Sequence, residues 1–334
     1  MDDRILLAHG SGGRLSHDLI REHLVKSFSN PVLNKLDDSA VFDLRGRVAF
    51  TTDSYVVSPI FFPGGDIGKL AVCGTVNDLS MSGAVPMYLA LSLILEEGFP
   101  LSDLDTILQS IEKTSREAGA FIVTGDTKVV NKGSADKIFI TTSGVGLVPE
   151  KVDISSANCK PGDRILLSGT IGDHGIALLS RREGIRFETS LQSDCAPLNR
   201  LVQEMVASSG RIKALRDPTR GGLAATLNEF AENSRVGIRI HEESIPVHPE
   251  VNAACELMGF DPLYVANEGK LVAVVSAEDA DRLVQVMQKN RYAEKASVIG
   301  EVTSEHPGKV VMKTTLGTTR IVDMITGELL PRIC

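Results

Sequence analysis

The chain contains no CxxC pair and no excess of basic residues, and no apolar run approaches the roughly 18 residues needed to cross a membrane. Each absence excludes something. Five cysteines, at positions 73, 159, 195, 255 and 334, are an odd number at wide spacing. They fit neither a disulfide framework nor a zinc cluster, so reduced thiols are expected. Against 43 Asp plus Glu stand 35 Lys plus Arg, a formal net charge of −8. That balance argues against a partner that is nucleic acid or an anionic membrane, whose footprint is basic. The opening MDDRILLAHGSGG is too short in apolar residues for a signal peptide. Cys334 is the last residue rather than fourth from the end, so it is not a prenylation box. A cytoplasmic location is the resulting expectation. What is present is ordinary for a globular protein: 43% hydrophobic and 23% charged residues. A length of 334 residues suggests two domains.

Periodicity divides the chain into alternating elements. Helical spacing follows Ser16 through HDLIREHLVKSF. VFDL and VAFTT read as a hairpin turned at Arg45, Gly46 and Arg47. Residues 66–82 and 101–118 read as helices, and 121–124 and 138–148 as strands. The continuous apolar run at 87–95 reads as a strand buried on both faces. Polar loop residues at 149–161 mark a boundary. Beyond it, strands are expected at 164–168, 236–241, 270–275 and 298–302, with helices at 173–182, 198–208, 223–233, 249–258 and 277–289. The tail after Gly327 has no partner pattern and reads as extended and movable.

Carboxylates stand at the ends of these elements. They are Asp37 and Asp38, Asp53, Asp78 beside Asn77, and Asp126 after IVTG. Singly, each reads as a cap or turn residue. Together they would repel one another unless a cation neutralised them. Hard oxygen ligands of this kind suit Mg²⁺ bridging to nucleotide phosphates. The common nucleotide signatures are missing: GGDIGKL lacks the spacing of a phosphate-binding loop, and HGSGG does not complete GxGxxG. Gly12 and Gly13 with Arg14 could still wrap phosphates through backbone amides. DPTRGGL, with Asp217 and Arg220, offers a glycine pair at a helix start. His174 in SGTIGDHG reads as a ligand, a base or a hydrogen-bonded structural residue. Glu268 in NEG reads as a general base or a turn residue. The oddest feature is the terminal PRIC. A thiol on a mobile tail can enter an active site, and Arg332 would help lower its pKa.

Taken together, DDSA (37–40), TDS (52–54), VNDLSMSGA (76–84), GDTKV (125–129) and DPTRGGL (217–223) resemble the superfamily of aminoimidazole ribonucleotide synthetases, selenophosphate synthetases and thiamine-phosphate kinases. With HGSGGR at the start and PRIC at the end, the pattern is similar to the HypE family, the carbamoyl dehydratases of nickel–iron hydrogenase assembly. The resemblance covers essentially the whole chain.

It implies an α/β fold of the aminoimidazole ribonucleotide synthetase type. Residues 1–150 would bind ATP and dimerise, their strands forming a β-barrel across a homodimer. Residues 151–326 would form a C-terminal α/β domain, and residues 327–334 a mobile tail ending in the reactive cysteine. ATP with Mg²⁺ would lie near the cleft, with Asp38, Asp53, Asp78 and Asp126 around metal and phosphates. Gly12, Gly13, Arg14, Asn77, Asp217 and Arg220 would complete the nucleotide site. Cys334 would receive a carbamoyl group from the carbamoyltransferase HypF. ATP-dependent dehydration would convert it to a thiocyanate, and cyanide would pass to the HypC–HypD complex and onto iron. Glu268 and Lys128 match the positions that handle protons. As a base, Lys128 would need burial to depress its pKa; still charged, it would stabilise oxygen or phosphate. Two alternatives stand beside this reading: another phosphoryl-transfer enzyme of the superfamily, and a non-catalytic nucleotide-binding scaffold. The first is disfavoured by PRIC and the second by the intact acidic set.

Overall fold

A computed structural model describes residues 4–182, 190–324, 327, 330 and 332–334. The first helical run comprises α1 (Arg14–Leu19), a π turn (Ile20–Val25) and α2 (Lys26–Phe28). Then come β1 (Arg47–Tyr55), β2 (Phe61–Phe62), β3 (Gly65–Asp66), α3 (Ile67–Met81), β4 (Val85–Glu96), α4 (Leu101–Ala118), β5 (Phe121–Val130) and β6 (Ile138–Val148). Four strands form one sheet in the order β1-β6-β4-β5. Only β4 and β5 run parallel, because α4 supplies the crossover between them.

The hairpin expected at Arg45–Arg47 is absent. β1 pairs antiparallel with β6 along its whole length, and residues 41–44 form no strand. A long-range partner of matching length outcompetes the four residues of VFDL. The strand expected to be buried on both faces is also corrected. β4 buries Leu89, Leu91, Leu93 and Leu95 against α3 and α4, while its other face stays open, with Ile94 exposed. That open face also carries Phe50 at 69% exposure and Val48.

The second half supplies β7 (Arg164–Leu167), α5 (Asp173–Leu179), α6 (Asn199–Ser208), β8 (Ile212–Arg216), α7 (Gly222–Ser234), β9 (Gly237–His241), α8 (Pro249–Met258), β10 (Val272–Val275), α9 (Ala280–Gln288), β11 (Ser297–Thr303), β12 (Val310–Lys313) and β13 (Thr319–Val322). Seven strands form a second sheet in the order β13-β12-β9-β11-β7-β10-β8. Alternation sorts its side chains. Ile165, Leu167, Val272 and Val274 pack with α7, whereas Leu166, Ala273 and Val275 pack with α6 and α9. β8, which carries the chain into Asp217, has no counterpart among the expected strands. Among the described residues all five cysteines are free, and no helix is long and apolar enough to cross a membrane.

α3 presses close to its neighbours through glycine. A Cβ on Gly68 would stand 2.6 Å from the Ile107 carbonyl oxygen of α4. Alanine gains up to about 1 kcal/mol over glycine inside a helix. Overpacking against backbone costs about 1–3 kcal/mol. Gly68→Ala is therefore expected to lower the urea unfolding midpoint, and a raised midpoint would contradict this packing.

Candidate active site

The turn bearing Glu268 is fixed by its two neighbours. Asn267 accepts the Gly172 amide at 2.7 Å and donates to the Pro218 and Val265 carbonyls at 2.9 and 3.1 Å. Gly269 has to be glycine, since a Cβ there would stand 1.8 Å from the Asp194 carbonyl oxygen. The Glu268 amide donates to Asp194 at 3.1 Å, and its carbonyl accepts from Asn77 at 3.3 Å. The backbone is thus held from both halves of the chain. The side chain is not: Glu268 is buried, and its Oε1 has no hydrogen-bond partner. Burial, then the nearby Cys195, Asp217, Asp194 and Asp53, push its pKa well above the usual carboxylate range. Burial of this kind favours the protonated form.

The chain end lies against this carboxyl. The Val56 amide donates to the Cys334 main-chain oxygen at 3.2 Å, and the Ser58 amide to the Arg332 carbonyl at 3.1 Å. His174 Nε2 lies 2.8 Å from the Ile333 carbonyl oxygen. The Ile333 side chain is buried in the core beside Leu178 and Ala266. Gly175 leaves room for it, because a Cβ there would come within 3.4 Å of Ile333 and 2.4 Å of Val265. Tail mobility was the expectation, and the described end of the tail is docked; Pro331 lies outside the described residues. Burial and the adjacent Glu268 push the Cys334 thiol up to about 12, although Arg220 beside it pulls the other way. Arg332 does not serve the thiol as expected. Its Nη1 pairs with Asp136 at 2.7 Å and its Nε donates to the Val56 carbonyl at 2.9 Å.

Carboxylates from separate elements approach this pair: Asp53 acts on both Glu268 and Cys334, Asp217 acts on Glu268, and Asp78 acts on Asp217. Asp53 lies on β1, Asp78 on α3, and Asp217 follows β8. Asp78 accepts from Thr51 at 2.9 Å and is raised by atoms crowding it on the cleft wall and by Asp53, though its side chain reaches solvent. Asp217 is raised to about 7 by burial and by the charge of Asp78.

The remaining candidates sit elsewhere. Gly12, Asp126 and Lys128 line a separate cleft of about 560 Å³ between the N-terminal helices and β5. Gly13 caps α1, and Arg14 opens it, exposed. Lys128 is 64% exposed and donates to Asp126 at 2.8 Å, so the burial that a base role would require is absent. Asp38 is exposed on a loop. Among the described residues no three His, Cys, Asp or Glu close into a metal-holding group. Of the four carboxylates expected around metal and phosphates, Asp53 and Asp78 lie on β1 and α3, Asp126 lines the cleft beside β5, and Asp38 is on a loop. Asn77 plays a structural part. It accepts the Leu198 amide at 2.8 Å and donates to the Ala196 and Glu268 carbonyls, which clamps α3 to the Glu268 turn.

Comparison with known proteins decides the family. Residues 36–148 match the N-terminal domain, and residues 160–313 the C-terminal domain, of AIR synthase related proteins. Carbamoyl dehydratase HypE of Rhizobium leguminosarum bv. viciae is 54% identical over 333 residues, covering 99% of this chain and 95% of the relative. The chain belongs to the HypE family. A crystal structure of hydrogenase maturation protein HypE in complex with ATP superposes with a TM-score of 0.95 at 49% identity, covering 98% of this chain and 99% of that one. A HypE–HypF complex matches at 0.82 and 50% identity, over 92% and 99%.

Within this HypE-family chain, sequence reasoning missed Asp194, Lys270 and the anchoring role of His174. Lys270 Nζ lies 3.8 Å from Asp194 and 4.0 Å from Asp173, all three shielded from solvent. The usable signal was proximity in sequence: Asp173 precedes His174, and Lys270 follows NEG.

Asp217 yields a pH-dependent prediction. The folded chain holds its proton up to about pH 7, and the unfolded chain only to about pH 4. Stability from this group is therefore lost as pH rises between those values and stays lost above them. Asp217→Asn should raise the melting temperature more at pH 8 than at pH 4. An equal gain at both would contradict the raised pKa.

Proposed function

We propose that this chain is an ATP-dependent carbamoyl dehydratase acting on its own C-terminal cysteine. The supporting observation is the half-buried Cys334 thiol beside Glu268, a buried residue whose Oε1 has no hydrogen-bond partner. A carbamoyl group on Sγ is an S-bound amide whose oxygen leaves poorly. Transfer of the ATP γ-phosphoryl to that oxygen converts it to a phosphate leaving group. Loss of the nitrogen protons and cleavage of the C–O bond then leave a nitrile on sulfur, with ADP and phosphate released. The net change removes the elements of water.

Glu268 suits the proton step. A carboxyl raised from its usual range holds a proton near neutral pH and, once ionised, is a stronger base than an exposed carboxylate. The docked tail supplies the reacting group without diffusion. Arg220 places a positive charge at the sulfur.

Asp53, Asp78 and Asp217 close no cage of their own; one or two of them would hold a divalent cation shared with nucleotide, since Mg²⁺ takes one or two carboxylates together with phosphates. Bound there, Mg²⁺ would offset phosphate charge. Asp126, Lys128 and Gly12 line the second cleft, where they would meet the nucleotide from the side of β5; Gly13 and Arg14, at the start of α1, would join them as nucleotide contacts by resemblance. Asp38 stays a nucleotide or metal contact only by resemblance.

Loading needs a different tail position. In the docked state the thiol is protonated and shielded, so the carbamoyltransferase HypF would meet the tail outside the cleft. The open face of the first sheet, with Phe50 and Val48 exposed, supports a homodimer whose strands close a barrel. Cyanide would leave through the HypC–HypD complex.

Mass spectrometry of the C-terminal peptide tests the reaction. With HypF, carbamoyl phosphate and ATP, Cys334 should gain a carbamoyl mass that then loses one water. Glu268→Gln should load but lose water at least about 100-fold more slowly. Cyanide delivery beside an unmodified Cys334 would overturn the proposal.

A further inference from the structure

His174 is fully buried at the start of α5 and has no part in the chemistry above. Burial keeps its ring neutral, so it carries one N–H. The Ile333 carbonyl, 2.8 Å from Nε2, can only accept; Nε2 therefore holds the proton. Nδ1 then accepts from the Ser193 hydroxyl at 2.8 Å. Phe62 meets the ring edge-on at 5.5 Å between centroids. Tautomer and orientation are both fixed, and the single donor points at the peptide bond that joins Ile333 to Cys334.

We propose that His174 is a positioning residue for Cys334: its Nε2–H grips the Ile333 carbonyl and sets where the thiol, or the carbamoyl group on it, stops before Glu268. This rests on the dehydratase reading. The bonds from Val56 and Ser58 are strand-like. A strand pairing alone tolerates a two-residue slip, which keeps side-chain parity. The buried Ile333 side chain opposes such a slip, and the buried donor of His174, which recognises one carbonyl, removes the freedom that is left. Ser193, which orients the ring, precedes Asp194, which holds the Glu268 amide. Latch and acid thus hang from adjacent residues, so their separation is fixed.

The test uses the full-length protein. His174→Phe keeps the bulk without a donor; His174→Gln keeps an N–H of similar reach. Two rates are read: iodoacetamide alkylation of Cys334, located by mass spectrometry without ATP, and ATP-dependent water loss from carbamoylated Cys334. Losing one hydrogen bond of about 1 kcal/mol should speed alkylation about 5-fold in His174→Phe. Mispositioning should slow water loss about 10-fold or more. His174→Gln should stay near wild type in both. Wild-type rates in His174→Phe would overturn the proposal, and so would a His174→Gln variant as impaired as His174→Phe. If His174→Phe does not fold, Ser193→Ala decides: faster alkylation supports the latch, and an unchanged rate overturns it. Faster alkylation of His174→Phe together with a wild-type chain that never dehydrates supports the latch and sinks the dehydratase reading.

Discussion

A buried carboxyl with one oxygen left without a hydrogen-bond partner, set where the two halves of the chain meet, is the constraint on which the site depends. An unsatisfied buried polar atom costs about 1–3 kcal/mol, and an ionised one far more. Glu268 avoids the larger penalty by staying protonated. The smaller one is offset by the bonds to its backbone and to its neighbours, from Asn77, Asp194 and Asn267. Asn77 comes from α3 and Asp194 from the C-terminal half, so folding of both halves is needed to place one oxygen atom.

The same dry environment governs the chain end. A thiol whose proton is held by desolvation and by the neighbouring Glu268 is a poor nucleophile. That argues for two tail positions. Outside the cleft the thiol would ionise readily enough to be loaded; inside it, an uncharged thiocarbamate would fit where a thiolate would not. Hydrogen bonds to the main chain from Val56, Ser58, His174 and Arg182, with burial of the Ile333 side chain, hold the docked end. Such bonds exchange readily with water, each at a net cost near 1 kcal/mol, so a docked tail of this kind remains releasable.

Much of the architecture was legible in the sequence, for identifiable reasons. α4 falls on residues 101–118 as expected, because its leucines and isoleucines keep helical spacing and Gly119 adopts the left-handed conformation that ends a helix. α8 starts at Pro249 and ends before Gly259 for the same reasons. The hairpin failed because local turn signals say nothing about distant partners, and β6 offered β1 a longer one. β8 was missed because RIKALR alternates weakly and has charged ends. Asp53, Asp78, Asp217, Glu268 and Cys334 were all recognisable by residue type and motif, yet their grouping was not. Neither the division of Asp126 and Lys128 into another cleft nor the structural duty of Asn77 can be read from spacing. His174 was visible only as one histidine among glycines, since its partner carbonyl lies 159 residues away.

Titration of Cys334 tests the buried pair most directly. With ¹³C at the Cys334 Cβ, its chemical shift should not begin to move until strongly alkaline pH, with a midpoint near 12. Glu268→Gln should bring the midpoint down, since it removes the carboxyl that titrates beside the thiol. A wild-type midpoint at the ordinary thiol value of about 8.5 would contradict the docked, desolvated tail.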